Sequence, residues 1–299
     1  MTQTTISNTF EHGLHKQIIK VCHFLELPLH FNVKGPKLFT NYQRVALIIL
    51  YKRSKKSLVD FVSELHESLW PKWLSLIEIP GKSTVHDWLK LFEMSVIRAL
   101  HEGVLPDNKP ELMAIDATGI DSWQRSRHYE RRIGQPFMPY AKLDAIIDVK
   151  TLIVYDHILR LKPRHDVIGA TSIFRRSRLK SVKILGDKGY DSEPLHQLAI
   201  EKGNSLYAPV RKSPRTNPRG INRRKCVEKD EQYHMRSTVE SAFHALKQRI
   251  MPNLRSKLHY MKKREMAWGI ILFNMIRINE RIRSLLKILI AYSGCALQQ

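Results

Sequence analysis

The feature that most constrains this chain is a change of hydrophobic period near residue 110. From about residue 8 to 106, apolar residues recur at three and four positions in RVALIILYKRS (44–54), SLVDFVSELHESL (57–69) and STVHDWLKLFEMSVIRALHEG (83–103). That spacing belongs to helices with one buried face. Ser83 or Thr84, after PGK, can cap the start of the third pattern. PDNKP (106–110) is a polar joint bounded by prolines. Beyond it, ELMAIDATGI, KLDAIIDV, LIVYDHILRL, SVKILGDKGY and SLYAPV are short runs rich in β-branched and apolar residues, and they read as strands. DVIGATSIFRRSR and EPLHQLAIEKG read as helices between the later strands. Strands in a meander, then strands alternating with helices, predict an α/β fold with a mixed five-stranded sheet flanked by helices. The expected division is a smaller all-α domain over 1–108 and an α/β domain over 109–299. The last helical pattern before the joint exposes Lys82, His86 and Lys90, which fits a helix-turn-helix DNA reader and an ordinary helical bundle equally well.

Charge narrows the class of partner. The 299 residues carry 50 Lys and Arg against 28 Asp and Glu, a formal net charge of +22. The surplus is concentrated beyond residue 210, where 20 basic side chains face 6 acidic ones. A charge of this size attracts polyanions at long range. Apolar patterning continues through the basic region and no lipidation signal is present, so DNA or RNA is favoured over a membrane surface. MTQTTISNTF has no basic segment followed by an apolar run. The longest apolar stretch, MAWGIILFNMI (266–276), is well short of the ~20 residues a membrane span requires. Cys22, Cys226 and Cys295 lack the paired spacing of a zinc site or a disulfide framework. The expectation is a soluble intracellular protein with free thiols.

The densest basic run is RKSPRTNPRGINRRK (211–225), which holds Arg211, Lys212, Arg215, Arg219, Arg223, Arg224 and Lys225. Two prolines and a glycine prevent regular structure there. It reads as a solvated loop, as an arm that binds DNA phosphates, or as each in turn.

Two aspartates follow apolar strand patterns. Asp116 comes after LMAI, and Asp187 comes after VKIL and a glycine, before the turn KGY. Both are expected at the carboxyl ends of buried strands, where open α/β sheets place ligands. Close together, the two charges repel unless a cation joins them. Hard oxygen ligands without His or Cys select Mg2+ or Mn2+. Asp121, Asp144, Asp148, Asp156 and Asp191 compete for such a role; Asp144 and Asp148 read as surface residues.

A third acid stands in YHMRSTVESAFHALK (233–247). Read as one helix, this stretch gathers Tyr233, Arg236, Glu240 and Lys247 within roughly 60° of one another, beside an apolar stripe of Val239, Ala242, Phe243, Leu246 and Ile250. One reading is a solvated edge with an Arg236–Glu240 ion pair. The other carries Glu240 to the rim of the sheet as a third carboxylate, with Arg236 and Lys247 holding phosphates and Tyr233 placing a phosphate or stacking on a base. Two divalent ions about 3.5 to 4 Å apart on such acids can activate an attacking oxygen and stabilise a leaving one.

These residues resemble the DDE transposases of bacterial and archaeal insertion sequences, in the branch marked by a Tyr-Arg-Glu-Lys signature. Tyr233, Arg236, Glu240 and Lys247 match its spacing at all four positions; Asp187, Gly189 and Tyr190 match its second block, and Asp116 with Thr118 its first. The resemblance covers roughly residues 110 to 280 and implies a ribonuclease H-like fold. It implies Asp116, Asp187 and Glu240 as catalytic ligands of two divalent ions, Mg2+ or Mn2+. It further implies double-stranded DNA as partner. The protein would bind the terminal inverted repeats of its element, cut at the ends and join the freed 3′ hydroxyls to target DNA, as a homodimer on paired ends in the nucleoid-associated cytoplasm of a prokaryotic cell. The short interval between Asp187 and Glu240 leaves no room for the large β insertion some relatives carry. A catalytically inactive or domesticated DNA-binding relative is the alternative reading, and a junction resolvase a third.

Overall fold

The computed structural model describes residues 10–32, 34, 37–122, 140–162, 164–211 and 218–296. The chain divides into two compact units, Met1–Leu105 with Ala267–Gln299, and Pro106–Met266. The change of period read from the sequence is thus a change of architecture.

The first unit holds α1 (Phe10–Phe24), α2 (Asn41–Ser54), α3 (Leu58–Glu67), the single turn α4 (Trp70–Trp73), α5 (Lys82–Leu91) and α6 (Met94–Val104). Local chemistry fixes where these helices begin. Thr40 and Gln43 form a reciprocal capping box on α2, and the Ser57 hydroxyl accepts from the Asp60 N–H at the start of α3. The third N-terminal pattern is two helices, because Phe92 and Glu93 are extended. Phe92 is fully buried, edge-on to Phe31 and Trp268. Gly81 occupies the cap position of α5, and neither Ser83 nor Thr84 caps it. On α5, Val85 and Trp88 are buried while Lys82, His86 and Lys90 are exposed. No helix among the described residues is long and apolar enough to cross a membrane.

The second unit is built on β1 (Leu112–Asp121), β2 (Tyr140–Asp148), β3 (Val154–Arg160), β4 (Lys183–Leu185) and β5 (Ser205–Tyr207), in the order β3-β2-β1-β4-β5. β1, β2 and β3 form an antiparallel meander, and β1, β4 and β5 are parallel to one another. The mixed sheet expected from the sequence is borne out, including its fifth strand. Its helices are α7 (Asp166–Arg176), α8 (Glu193–Glu201), α9 (Ile221–Lys225) and α10 (Thr238–Arg249), followed by the long α11 (His259–Ala296), whose residues from Ala267 belong to the first unit.

Strand alternation sorts the core into two layers. Met113, Ile115, Ile146 and Ile184 pack with Ala170, Ile173 and Phe174 of α7, and with Leu195 and Ala199 of α8. α10 packs along β1 and buries Val239, Ala242, Phe243 and Leu246. Cover on both faces explains why Asp144 and Asp148 are buried, against the surface expectation. Asp144 is fully buried and accepts two bonds from Arg160, at 2.6 and 2.7 Å. Asp148 caps the turn after β2 through Lys150 N–H and the Thr151 hydroxyl.

α7 approaches β2 at Gly169. A Cβ there would stand 2.4 Å from Cγ of Asp144 and 2.5 and 2.7 Å from its oxygens. The carboxylate is locked by Arg160 and cannot swing away. Gly→Ala in a helix ordinarily gains about 1 kcal/mol, but overpacking costs about 1–3 kcal/mol and disturbance of a buried ion pair more. Gly169→Ala is therefore expected to destabilise the protein by about 2 kcal/mol, read as a lower urea midpoint with an unchanged slope.

Candidate active site

The parallel pairing of β1 with β4 sets Leu112 opposite Lys183, Met113 opposite Ile184 and Ala114 opposite Leu185. Continued two residues further, the same register brings Asp187 level with Asp116. Asp116 was expected at a strand end, but it lies in mid-strand. β1 runs on to Asp121 because its other edge stays paired with β2, Asp116 facing Ala145. β4 stops at Leu185, so it is only on that side that Asp116 passes beyond the ladder.

The chain then turns tightly. Lys188–Tyr190 is one 3₁₀ turn capped by Asp187, whose Oδ1 accepts the Gly189 N–H at 2.6 Å. A side chain on Gly189 would stand 2.7 Å from Asp187 Oδ1 and 2.9 Å from Asp166 Oδ2. Glycine is the residue that lets these two carboxylates share that space. Asp166, at the start of α7 and ion-paired with Lys142, is a neighbour the sequence reading missed. Its one visible signal was an acid opening a predicted helix, which is ordinarily a dipole effect. Tyr190, the aromatic of the second block, is fully buried, and its hydroxyl has no hydrogen-bond partner among the described residues. Burial pushes its phenol strongly up, and the charges of Asp116, Asp166, Asp144 and Asp187 push the same way.

The stretch expected as one helix is two elements. Glu231–Ser237 is a 3₁₀ helix and α10 starts at Thr238, so Tyr233 and Arg236 do not share a wheel with Glu240 and Lys247. The 3₁₀ segment is fixed to the parallel strands. Lys183 on β4 pairs with Asp230 and donates to Gln232 at 3.1 Å. The Tyr207 hydroxyl on β5 accepts from the Asp230 N–H and donates to the Glu228 carbonyl, and its ring meets Tyr233 edge-on at 5.4 Å.

So braced, Arg236 reaches the acids. Its Nη1 donates to Asp116 Oδ2 at 2.8 Å, and its Nη2 lies 3.4 Å from Glu240 Oε1. The Ala117 N–H takes the other Asp116 oxygen at 2.8 Å. Burial holds the Asp116 carboxyl above its usual range, and the charge of Asp187 adds to that; Ala117 and Arg236 offset only part of it. Burial alone would lower the Arg236 guanidinium, yet Asp116, Tyr233, Asp187 and Glu240 together raise it. Glu240, whose side chain is 67% exposed, sits in the first turn of α10. Lys247 is half-buried two turns further on.

The donor set suits a hard dication at Asp116 and Asp187, two oxygen ligands that repel each other and are partly withdrawn from water. Glu240 is not gathered with them. Among the described residues, no three His, Cys, Asp or Glu side chains come together closely enough to hold a metal. The cation between Asp116 and Glu240 is the Arg236 guanidinium.

Of the basic run, Arg219, Arg224 and Lys225 are exposed, whereas Arg223 pairs with Asp191 and Arg211 binds the 3₁₀ turn after Asp187. Lys212 and Arg215 lie outside the described residues.

The profile of the family described as the transposase DDE domain matches residues 107–276. The chain belongs to this family. No curated protein matches the sequence. Among solved structures, the chain is similar to one described as a cryo-EM structure of the piggyBac transposase synaptic complex with hairpin DNA. The two share 11% identity at a TM-score of 0.47, over 94% of this chain and 77% of that one.

Arg236 and Glu240 carry unequal weight in this arrangement. Removing a guanidinium from a pair that is mostly out of water strands a carboxylate, whereas an exposed pair at 3.4 Å is worth little. In the absence of metal, Arg236→Ala is expected to cost about 2 kcal/mol and Glu240→Gln less than about 0.5 kcal/mol. Paired urea titrations monitored by tryptophan fluorescence check this.

Proposed function

We propose that the chain is a DNA transposase of the Tyr-Arg-Glu-Lys branch, which binds the terminal inverted repeats of its insertion sequence, cleaves the phosphodiester at the element ends and transfers the 3′ hydroxyls to target DNA. The observation that carries this reading is the level placement of Asp116 and Asp187 beyond the β1/β4 ladder, with Arg236 bonded to Asp116 and reaching towards Glu240, in a chain of the transposase DDE family. Asp116, Asp187 and Glu240 are the proposed carboxylate ligands. Divalent ions, Mg2+ or Mn2+, would supply activation of the attacking oxygen and stabilisation of the leaving one.

The remaining work belongs to the chain. The β1/β4 register holds the two aspartates level, and Tyr190 and its apolar neighbours exclude water beneath them. Arg236, fixed from behind by β4 and β5, can exchange Glu240 for a phosphate oxygen with bidentate geometry. Tyr233 and Lys247 contact the flanking backbone or a base. Residues 1–108 recognise the element ends, with Lys82, His86 and Lys90 on α5 as the face presented to DNA. The exposed Arg219, Arg224 and Lys225, with Lys212 and Arg215, bind phosphates. A homodimer on paired ends, in the nucleoid-associated cytoplasm of a prokaryotic cell, follows from the same reading.

The test is cleavage of a labelled duplex carrying the element's own terminal repeat, with Mg2+, Mn2+ or EDTA. Asp116→Asn, Asp187→Asn and Glu240→Gln are each expected to reduce metal-dependent nicking at the repeat boundary to background while leaving duplex affinity within about threefold of the parent. Full residual cutting in all three would overturn the site. Repeat-specific binding with no cut by the parent chain would instead favour the DNA-binding relative. Arg224→Ala or Lys225→Ala is expected to flatten the dependence of log affinity on log salt by about 0.9 for each phosphate that the variant no longer neutralises.

A further inference from the structure

The two ends of the basic run are not free. On one side, Arg211 donates from Nε to the Lys188 carbonyl at 2.6 Å and from Nη2 to the Gly189 carbonyl at 3.0 Å, and its N–H bonds Asp191 Oδ2 at 2.9 Å. On the other side, Arg223 grips both oxygens of Asp191, at 2.5 and 2.7 Å. The Asp191 side chain is fully buried. Beside it, Glu193 accepts the Asn222 and Arg223 N–H groups and the Asn222 amide, at 3.2, 3.0 and 2.9 Å. Gly220 permits that approach. It holds a left-handed φ of 107°, and a Cβ there would meet Glu193 Oε2 at 2.2 Å.

Every anchor point of this clasp lies in Lys188–Glu193, within six residues of Asp187. Two of them are the carbonyls of the very turn whose Gly189 N–H orients the Asp187 carboxylate. A guanidinium committed to two carboxylate oxygens has few donors left for phosphate.

We propose that Arg211 and Arg223 are positioning residues of the Asp187 turn and not phosphate contacts: with Asp191 as the shared knot, they set the direction of the Asp187 carboxylate and tie the base of the basic run to it. The inference deepens the transposase reading and rests on it for its kinetic consequence. Its structural half stands independently of that reading.

The experiment uses the whole chain and six variants: Arg211→Gln, Arg223→Gln, Asp191→Asn, Arg224→Gln, the Arg223→Gln/Asp191→Asn double variant, and Arg223→Lys as the conservative exchange. On the terminal-repeat duplex, Arg211→Gln and Arg223→Gln should keep the parental salt slope and affinity while lowering single-turnover cleavage at saturating protein at least tenfold. Asp191→Asn removes a negative charge, yet it should lower cleavage in the same direction and to a similar extent. The Arg223→Gln/Asp191→Asn double variant should be no slower than either single one, and Arg223→Lys should recover part of the rate. Arg224→Gln should instead lower the salt slope, as the loss of a phosphate contact does.

A salt slope reduced by about one unit in Arg223→Gln, with cleavage at saturation intact, would overturn the proposal. So would tighter binding and undiminished cleavage in Asp191→Asn, since that is the result of freeing an arginine that touches DNA. Amide exchange separates failure of the clasp from failure of the transposase reading. Gly189 and Tyr190 N–H groups should exchange at least tenfold faster in Arg211→Gln, Arg223→Gln and Asp191→Asn, and at the parental rate in Arg224→Gln. Parental exchange in the first three sinks the clasp even if the parent cuts DNA. Accelerated exchange in those three variants of a parent that does not cut keeps the clasp and sinks the reaction. Arg211 is exposed, so its variant tests the point if Arg223→Gln fails to fold.

Discussion

The second unit is organised around one electrostatic problem: two aspartates set level at the end of a parallel ladder, partly withdrawn from water and repelling each other. Burial and the Asp187 charge raise the Asp116 carboxyl, and the Ala117 N–H and one guanidinium, that of Arg236, offset part of the rise. Much of the surrounding structure serves to hold that guanidinium in place. Lys183, Asp230, Tyr207 and Tyr233 together fasten the 3₁₀ segment to β4 and β5, and α10 buries its apolar stripe on β1 so that the helix start arrives at the acids. Without that fastening, Arg236 would lie on a flexible turn. A cation that must face desolvated carboxylates cannot be left to find them at entropic cost.

The same problem accounts for two residues without side chains. Gly189 stands where any Cβ would collide with Asp187 and Asp166, and Gly169 where one would collide with Asp144. Carboxylates therefore approach backbone directly at both glycines. The acids of this region are held by three different devices: Arg236 for Asp116, Arg160 for Asp144 and Lys142 for Asp166. Close packing around fixed ion pairs leaves little room for adjustment, so geometry at the Asp187 turn depends on neighbours well outside it.

Much of this was legible in the sequence because its signals are local. Five apolar runs marked five strands, and the contexts of Asp116 and Asp187 marked the acids that the ladder brings level. What failed was each inference that depended on a partner. Asp144 alternates with apolar neighbours and so read as exposed, but a second layer, α7, covers its face and Arg160 neutralises it. Arg223, in a run read as solvated or phosphate-binding, has an ion-pair partner the run does not reveal: Asp191, 32 residues earlier in sequence. Asp166 carried no motif at all. The stretch 233–247 read as one helix because residue spacing cannot distinguish a 3₁₀ lead-in from α-helix, and the difference moves Tyr233 and Arg236 off the wheel that united them with Glu240 on paper.

In the proposed site, the contrast between Glu240 and the two aspartates would be a division between fixed and adjustable ligands. Asp116 and Asp187 are set by strand register and a capped turn, and neither can shift without disturbing the sheet. Glu240 is mostly exposed, in the first turn of a helix, and linked to the others only through one long contact to Arg236. In the proposed reaction the approaching polyanion supplies what that contact lacks. A phosphate drawn in by a chain of net charge +22 competes with Glu240 for the guanidinium. As Arg236 turns toward phosphate, the acids lose their internal counter-cation and the demand for an external one rises. In that reaction substrate binding and cation binding would be coupled through a single side chain, in the reciprocal sense required of any two ligands that share an intermediary.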